Sequence, residues 1–228
     1  MEIPSPGRQP SFHRNGRFSF FKGFLRHPSV VGSITPSSRF LERRIVAKSG
    51  IAQARMVVEL GPGTGGTTQA ILNALPDSSR LLALEIDPNF AAALKSLPDP
   101  RLHVHLGSAE QIGDALAHYG LQRPDAVVSG IPFSTMPAED GRKILRAIWA
   151  CLQPGGCFLA YQFLKRVAEL DQATLGPPEV AIEFLNVPPV RLFRWQKPRR
   201  NGGSDVTLDA ADGRHSAQAF FPDRARPV

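Results

Sequence analysis

Short apolar runs alternate with segments of helical periodicity over most of this chain. Each run suits one buried strand, and each periodic segment places apolar residues on one helical face. The predicted strands span residues 56–58, 81–84, 101–106, 125–130 and 157–163, and the predicted helices span residues 67–75, 89–97, 112–119 and 138–152. Strands that alternate with helices in this way predict a doubly wound α/β fold, with a parallel sheet covered by helices on both faces.

Two further apolar runs follow and flank a pair of prolines. They span residues 181–187 and 190–195, on either side of Pro188 and Pro189. Proline is tolerated at the edge of a sheet because an edge strand leaves some backbone donors unused. The sequence therefore predicts an antiparallel C-terminal hairpin at one edge of a seven-stranded, mostly parallel Rossmann-like sheet. The domain that contains this sheet is expected to span residues 51–198.

The chain before residue 51 has a different pattern. Residues 1–16 are rich in proline and polar side chains, which predicts a flexible N-terminus. Residues 17–27 place phenylalanines on one helical stripe and leave Arg17, Lys22 and Arg26 to meet water or anions. We interpret this segment as a membrane-docking helix, with its rings at the headgroup boundary and its cations near anionic lipid. The alternative is an amphipathic helix packed on the sheet domain.

A second amphipathic helix is predicted before residue 51. Ser37 or Ser38 can cap its first turn. The residues expected to face inward are Phe40, Leu41, Ile45 and Val46. The small polar residues of segments 31–33 and 36–39 suit a lid that closes over a bound ligand, or helix capping alone. At the other end of the chain, residues 199–228 show no periodicity and predict a disordered tail.

Charge is unevenly distributed along the chain. The 228 residues carry a net charge of +7, with +7 on residues 1–50, −4 on residues 51–190 and +4 on residues 191–228. The basic character therefore belongs to the two ends and indicates attachment to an anionic partner. No apolar run is long enough to span a membrane, and the N-terminus lacks the apolar core of a secretory signal. We therefore expect a cytoplasmic protein.

A glycine-rich turn follows the first predicted strand. Gly61, Gly63 and Gly66 match the G-x-G-x-x-G fingerprint of dinucleotide sites. Two neighbours disfavour a pyrophosphate, because Glu59 would place a carboxylate beside it and Pro62 removes a backbone donor. A cationic cofactor such as S-adenosylmethionine would instead be attracted by the carboxylate. The alternative is a purely structural role, in which Glu59 only caps the turn.

The second predicted strand ends at another acid. Glu85 lies where a two-oxygen acceptor can hold both hydroxyls of an adenosine ribose. NAD sites use the same arrangement, so Glu85 indicates an adenosine-bearing cofactor without naming it. Asp87, directly before Pro88, is interpreted as a helix N-terminal signal rather than a ligand.

Metal chemistry is not indicated by the sequence. His103 and His105 are two residues apart on a predicted strand and share one face, but no third ligand is apparent. Cys151 and Cys157 are too few for a disulfide framework and are interpreted as buried thiols. We therefore expect no metal site.

Three motifs stand at the ends of predicted strands: residues 59–65 (ELGPGTG), 85–87 (EID) and 129–133 (SGIPF). With these motifs the chain resembles the class I S-adenosylmethionine-dependent methyltransferases. More narrowly it resembles the bacterial phospholipid N-methyltransferases, whose cores are similar to those of the rRNA adenine dimethyltransferases. Further motifs that carry the resemblance lie at residues 25–28, 31–33, 36–39, 128–132, 186–189 and 194–195.

The resemblance implies a set of cofactor-binding residues. They are Ser33, Ser38, Glu59, Gly61, Gly63, Thr64, Gly65, Glu85, Ile86, Ser108, Ala109 and Ser129. In this set Glu59 and the glycines would line the methionine part of the cofactor, and Glu85 would hold the ribose. Ser33 and Ser38 would close over it. Ser108 stands where these proteins usually carry an acid that accepts from the adenine amino group, and a serine hydroxyl can still accept.

The resemblance also implies where the methyl group is transferred. The loop beside it would consist of Ser129, Gly130, Ile131, Pro132 and Phe133. Backbone carbonyls of this loop could accept from an incoming amine, and Phe133 could form an aromatic wall that favours an ammonium. No histidine or carboxylate of the loop offers itself as a general base.

The expected function is methylation of the amine of phosphatidylethanolamine and of its methylated intermediates, toward phosphatidylcholine. We expect the protein to associate peripherally with the inner face of the membrane, through an anionic phospholipid surface that contacts residues 17–27. One alternative is an rRNA adenine N6-dimethyltransferase, but nucleic acid is an unlikely partner because the residues after Trp195 lack the apolar periodicity of a helical RNA-binding domain. Another is a catalytically inactive membrane-binding module, which Ser108 favours.

Overall fold

The computed structural model describes residues 38–199. The predicted flexible N-terminus, the helix at residues 17–27, Ser33 and the predicted tail beyond residue 199 lie outside the described residues. In the described part of the chain, no helix combines the length and the apolar character needed to cross a membrane.

A seven-stranded sheet forms the centre of the structure. Its strands are β1 (Met56–Leu60), β2 (Arg80–Glu85), β3 (Leu102–Leu106), β4 (Ala126–Ser129), β5 (Cys157–Gln162), β6 (Glu179–Glu183) and β7 (Val190–Gln196). They lie in the order β3-β2-β1-β4-β5-β7-β6. The first five are parallel, whereas β7 runs antiparallel to both β5 and β6. The predicted mostly parallel sheet with an antiparallel C-terminal hairpin is therefore confirmed.

The main helices connect these strands. They are α1 (Arg39–Ser49), α2 (Gly66–Ala74), α3 (Pro88–Lys95), α4 (Ile112–His118) and α5 (Ala138–Cys151), followed by the short α6 (Arg166–Glu169) and α7 (Gln172–Leu175). Asp87 caps α3 as predicted, because its carboxylate accepts from the backbone N–H groups of Asn89 and Phe90. The two short helices, α6 and α7, were not predicted.

Helices cover both faces of the sheet. On one face Val58 and Leu60 of β1 pack with residues of α4 and α5 such as Ile112 and Leu145. On the other face Val57 packs with residues of α1 and α2 such as Ile45. Every residue of β1 is buried, which explains why the strand is continuously apolar except for its single acid.

Helix α1 begins after one of the two predicted capping serines, and its buried face differs from the prediction at one residue. Ser38 caps it, accepting a 3.2 Å hydrogen bond from the N–H of Leu41, and Gly50 ends it with a left-handed φ of 74°. Phe40 was predicted to face inward, but its side chain is 46% exposed. The buried line of the helix runs through Leu41 and Ile45, and Phe40 lies one helical step away from it.

Strand β6 is shorter at its end than predicted. The apolar residues 184–187 belong to the turn between β6 and β7, not to the strand. The Glu183 carboxylate folds back to accept from the N–H of Leu185 at 2.9 Å, and the Asn186 amide donates to the Pro188 carbonyl at 2.9 Å. These side chains satisfy local backbone groups, so the ladder to β7 stops at Glu183. The other predicted boundaries differ from the structure by at most two residues.

Candidate cofactor site

The carboxyl ends of β1, β2 and β4 meet at one edge of the sheet. Gly61 donates a backbone hydrogen bond to the Leu84 carbonyl at 3.0 Å, and Gly130 donates to the Leu60 carbonyl at 2.9 Å. Gly107, which follows β3, donates to the Glu85 carbonyl at 2.9 Å. These bonds continue the sheet ladder beyond the strands. The three motifs predicted at strand ends therefore lie side by side.

The glycine turn after β1 depends on left-handed backbone. Gly61, Gly63 and Gly65 have φ values of 69°, 56° and 87°, a region that other residues rarely adopt. A Cβ at Gly61 would lie 3.2 Å from Cγ1 of Ile131, so the turn also passes close to the loop after β4. Gly66, the third glycine of the dinucleotide fingerprint, is instead the first residue of α2.

Glu59 lies at the base of this turn and is fully buried. Its Oε2 accepts a 2.6 Å hydrogen bond from the hydroxyl of Thr68 on α2. Its Oε1 has no hydrogen-bond partner among the residues that the structure describes. Burial, together with the nearby charge of Glu85, raises the pKa of Glu59 to about 8 although the Thr68 bond opposes the shift. A buried carboxylate in this state is stabilised by a cation brought to it.

Glu85 is held by three backbone donors. Its Oε2 accepts from Gly63 at 3.0 Å, and its Oε1 accepts from Ile86 at 2.8 Å and Asp87 at 2.9 Å. The carboxylate therefore fixes the glycine turn to the end of β2. A carboxylate has about four lone-pair sites, so about one acceptor site remains for a ligand hydroxyl. The sequence indicated a ribose contact at Glu85 but not this second, structural role.

Ser108 begins a short turn next to the end of β2. Its hydroxyl accepts from the N–H of Glu110 at 3.4 Å, and its own N–H donates to the Gln111 side chain at 3.2 Å. This reciprocal pair is a capping box, so Ser108 has a structural role at the start of the turn. Ala109, the next residue, is buried at 8% exposure.

The loop after β4 is tightly held by its own hydrogen bonds. Ser129 is buried, and its hydroxyl accepts from the N–H of Ile131 at 3.3 Å. The Ile131 carbonyl accepts from the Gln162 amide and from the N–H of Phe133. The Pro132 carbonyl accepts from the N–H and the hydroxyl of Thr135. Backbone carbonyls of this loop were expected to accept from an amine, and those of Ile131 and Pro132 are already engaged.

Phe133 does not form the expected aromatic wall. Its side chain is fully buried in the core on the α4 and α5 face of the sheet. A Cβ at Gly141 of α5 would lie 3.6 Å from its ring. Burial of apolar surface places this ring under the loop, where it packs in the core with residues such as Ile144 and Leu145 of α5.

Tyr161 is a residue of this edge that the sequence did not single out. Its hydroxyl lies 3.5 Å from that of Thr67 on α2, and it packs so closely on Gly130 that a Cβ there would overlap it. Burial, and next the charge of Glu59, raise the pKa of Tyr161 above its usual range, so the phenol stays neutral. The sequence held one signal for this residue, because Tyr161 lies near the end of the predicted fifth strand, which neighbours the fourth.

Ser38 lies near this edge through the start of α1. Its backbone N–H donates to the Asn186 side chain at 3.3 Å. One turn later, Oε1 of Glu42 would lie 3.0 Å from a Cβ at Gly66, so the first turn of α1 packs on the start of α2. Burial raises the pKa of Glu42 as well.

The two histidines of β3 pack with aromatic neighbours. The ring centroids of His103 and His105 lie 5.2 Å and 6.1 Å from that of Tyr119. Burial lowers the pKa of both imidazoles. Within residues 38–199, no three His, Cys, Asp or Glu side chains are grouped to hold a metal ion.

Comparison with known proteins identifies the family. A methyltransferase domain family matches residues 58–158. The chain is 34% identical over 143 residues to the ornithine lipid N-methyltransferase of Singulisphaera acidiphila, an alignment that covers 62% of this chain and 74% of that protein. This chain belongs to the S-adenosylmethionine-dependent methyltransferases.

Two further comparisons concern an rRNA methyltransferase and a solved N-methyltransferase structure. The methyltransferase is 36% identical over 98 residues to ribosomal RNA small subunit methyltransferase A of Rhodococcus erythropolis, which covers 40% of this chain and 31% of that one. Among solved structures, the N-methyltransferase NodS of Bradyrhizobium japonicum matches with a TM-score of 0.60 at 14% identity, over 73% of this chain and 99% of NodS. NodS has also been solved with S-adenosyl-L-homocysteine.

The residues of the site fit S-adenosylmethionine. The cofactor is cationic, and Glu59 offers a buried carboxylate oxygen that no described residue neutralises. The outer side of the turn is open, because no heavy atom lies within 4 Å of where a Cβ of Gly63 would be. Glu85 adds an acceptor for a hydroxyl. The methyltransferase thus combines three features at one edge of the sheet: the buried acid Glu59, a glycine turn with an open outer side, and the hydroxyl acceptor Glu85.

Glu59→Gln should change how stability depends on pH in the ligand-free methyltransferase. The folded-state pKa of Glu59 is about 8 and its ordinary value is 4.5, so the folded state retains a proton that the unfolded state has released between these values. Raising the pH through this window therefore lowers the free energy of unfolding, by up to a few kcal/mol. The variant should lose this decline in urea titrations at pH values from about 5 to about 8.5.

The same substitution should weaken S-adenosylmethionine binding measured by calorimetry, because it removes the buried negative charge. Glu169→Gln, at an exposed position, serves as the control. Equal pH slopes of wild type and Glu59→Gln would show that Glu59 is ionised without penalty and would contradict the prediction.

Glu85→Ala should weaken S-adenosylmethionine binding by about 1 to 3 kcal/mol, the range for losing a charge-assisted hydrogen bond. Calorimetric titration of the variant measures this loss, with exposed Asp114→Ala as the control. The substitution also frees the N–H of Gly63, so the glycine turn should exchange its amide hydrogens faster. An unchanged affinity would remove Glu85 from the cofactor site.

Proposed function

We propose that this methyltransferase methylates the headgroup amine of a phospholipid at a membrane surface. The substrates are phosphatidylethanolamine and its methylated intermediates, and the product is phosphatidylcholine. The observation that carries the proposal is the similarity to a lipid N-methyltransferase, of which the chain covers 74%. The match to the Rhodococcus rRNA enzyme covers 31% of that protein, so it supports the shared core more than the substrate.

The proposed cofactor contacts follow the edge of the sheet. Glu59, Gly61, Gly63, Thr64 and Gly65 line the methionine part of S-adenosylmethionine, with the carboxylate of Glu59 as counter-charge. Glu85 and Ile86 lie at the ribose, Ser108 and Ala109 at the adenine, and Ser129 at the start of the transfer loop. Ser38, together with Ser33 from the preceding segment, closes the site.

The bound cofactor supplies an electrophilic methyl group on a sulfonium. The residues of the chain align an amine with it and exclude water. An unprotonated amine would take the methyl group from the sulfonium, which would leave as a neutral thioether. The first two methylation products carry an N–H proton that they would release, whereas the quaternary ammonium of phosphatidylcholine carries none. Because Glu59 and the neutral phenol of Tyr161 lie at this edge, the site is suited to stabilise a cation at the amine.

Tyr161 is proposed to hold the amine substrate. Its phenol oxygen is next to Gly130, whereas the carbonyls of Ile131 and Pro132 are engaged elsewhere. A neutral phenol oxygen can accept from the N–H of an amine. Its raised pKa makes Tyr161 a poor general base near neutral pH, so the proton of the substrate leaves to solvent.

The location of the protein is part of the same proposal. Residues 17–27 contact an anionic phospholipid surface, and the protein associates peripherally with the inner, cytoplasmic face of the membrane. The basic character of residues 1–50, which carry a net charge of +7, supports this placement.

A second candidate function is rRNA adenine N6-dimethylation. The similarity to ribosomal RNA small subunit methyltransferase A favours it. A third candidate is an inactive membrane-binding module, for which the capping role of Ser108 is the supporting observation.

Tyr161→Phe should lower kcat for amine methylation by about tenfold, since one hydrogen bond of about 1.4 kcal/mol corresponds to that factor. Cofactor affinity should stay within about twofold, because the ring is retained. Tyr119→Phe is the matched control. The Tyr119 hydroxyl donates to the Val104 carbonyl of β3, which is the outermost parallel strand of the sheet. Equal kcat values for the two variants would remove Tyr161 from the substrate site.

Methyl transfer from labelled S-adenosylmethionine tests the substrate class. The purified full chain should label phosphatidylethanolamine vesicles and leave ribosomal RNA unlabelled. Vesicles of phosphatidylcholine and phosphatidylglycerol without an amine lipid are the control. Label in RNA would favour the dimethyltransferase function, and cofactor binding without label in either substrate would favour the inactive module.

A further inference from the structure

The turn between β6 and β7 has its apolar side chains outside and its polar side chains inside. Phe184, Leu185 and Val187 are 70%, 62% and 81% exposed, and we call these three residues the apolar tip. Between and beside them, Glu183 and Asn186 are only 5% and 4% exposed. This is the reverse of what water favours, and exposed apolar clusters of this kind mark interaction surfaces.

The arrangement is fixed by hydrogen bonds under the tip. Glu183 accepts from the N–H of Leu185 at 2.9 Å and pairs with Arg44 of α1 at 3.3 Å. The Asn186 amide accepts from the N–H of Ser38 at 3.3 Å and donates to the Pro188 carbonyl at 2.9 Å. The polar side chains of the turn are therefore satisfied inside the protein, which holds the apolar side chains outward.

The tip lies at the same edge of the sheet as the cofactor site. Strand β7 runs antiparallel to β5 and pairs Arg191 with Gln162, so its first residues lie at the carboxyl end of β5. Strand β6 ends opposite, with Glu183 paired to Val190. The turn that joins β6 to β7 therefore projects from the edge where β1, β2 and β4 end.

The chain just after β5 adds a further apolar residue and two cations. Leu164 is 59% exposed, and Lys165 and Arg166 beside it are exposed as well. This segment is tied to the base of the turn, because Arg191 donates to the Phe163 carbonyl at 2.6 Å. Exposed Glu169 lies at the end of the same short helix, α6.

Charge and apolar surface together favour a lipid partner. The carboxylate nearest to the tip, Glu183, is buried and neutralised by Arg44, so it does not repel an anionic surface. Lys165 and Arg166 would instead attract one. Apolar side chains at the acyl boundary with cations at the headgroups are the arrangement of interfacial membrane elements.

We propose that the apolar tip, together with Leu164, Lys165 and Arg166, docks on the surface of an anionic phospholipid bilayer. This surface belongs to the sheet domain and is separate from residues 17–27. It turns the edge that carries Glu59, Glu85 and Tyr161 toward the membrane. The inference rests on the proposed lipid substrate for its purpose, but the docking itself requires neither cofactor nor amine.

Vesicle binding tests the docking directly. The full chain and its Leu185→Ser/Val187→Ser variant are sedimented with vesicles of phosphatidylcholine and phosphatidylglycerol, which contain no amine substrate. The variant should partition at least about tenfold less onto the vesicles, because two apolar side chains no longer enter the boundary. Val180→Ser is the control, since Val180 is 56% exposed on the same hairpin but lies within β6.

A second variant reports contact with lipid. Phe184→Trp should show emission quenched by brominated phosphatidylcholine beyond the quenching of the native tryptophans in wild type. Vesicle binding by the full chain without this extra quenching would overturn the proposal. Unchanged vesicle binding of Leu185→Ser/Val187→Ser, together with a melting temperature below that of wild type, would also overturn the proposal. This result would show that another part of the chain, such as residues 1–37, covers the tip.

The docking and the proposed function can fail separately. Methyl transfer to a short-chain, monomeric phosphatidylethanolamine requires no bilayer, so it reports the chemistry alone. If Leu185→Ser/Val187→Ser loses vesicle binding but still methylates this soluble substrate, the result would support the docking surface. Vesicle binding that depends on the tip in a protein without any transfer to amine lipids would support the docking while removing the proposed substrate.

Discussion

The close approach of two backbone segments at the ends of β1 and β4 constrains the rest of the site. A Cβ at Gly130 would lie 3.1 Å from the Gly61 carbonyl, and a Cβ at Gly61 would lie 3.2 Å from Ile131. Glycine at both positions lets the glycine turn after β1 and the loop after β4 lie side by side. With these segments in contact, the phenol of Tyr161 can pack on Gly130 and reach the hydroxyl of Thr67.

The two acids at this edge differ in how far the protein itself satisfies them. Glu85 accepts three backbone hydrogen bonds and so holds the glycine turn. Glu59 is buried with one oxygen unpartnered among residues 38–199, an arrangement that lowers the stability of the ligand-free protein once the acid is ionised. A cationic ligand relieves this penalty. The burial of the Glu59 carboxylate with one unpartnered oxygen is therefore better explained by a role in ligand binding than by a role in stabilising the fold.

The same edge of the sheet also presents the exposed apolar tip. Because β7 is antiparallel to β5, its turn returns to the end where the parallel strands finish. The residues proposed to bind the cofactor and those proposed to contact lipid can then face the same direction. Under the proposed function, whose substrate remains in a bilayer, this orientation would let the headgroup amine reach Tyr161 without leaving the membrane surface.

Local sequence determined the strands, the glycine turn and the acids at the strand ends, because strand period, left-handed glycines and the chemistry of Glu59 and Glu85 act over a few residues. It could not determine that Phe133 is buried, that Phe40 is exposed or that β6 stops at Glu183. Phe133 packs in a core built with Val58 of β1 and Phe158 of β5, and the turn after β6 is held by Ser38 as well as by its own local hydrogen bonds. Tyr161 was missed for the same reason, since its place in the site is decided by Gly130 and Thr67, which only the packed sheet brings to it.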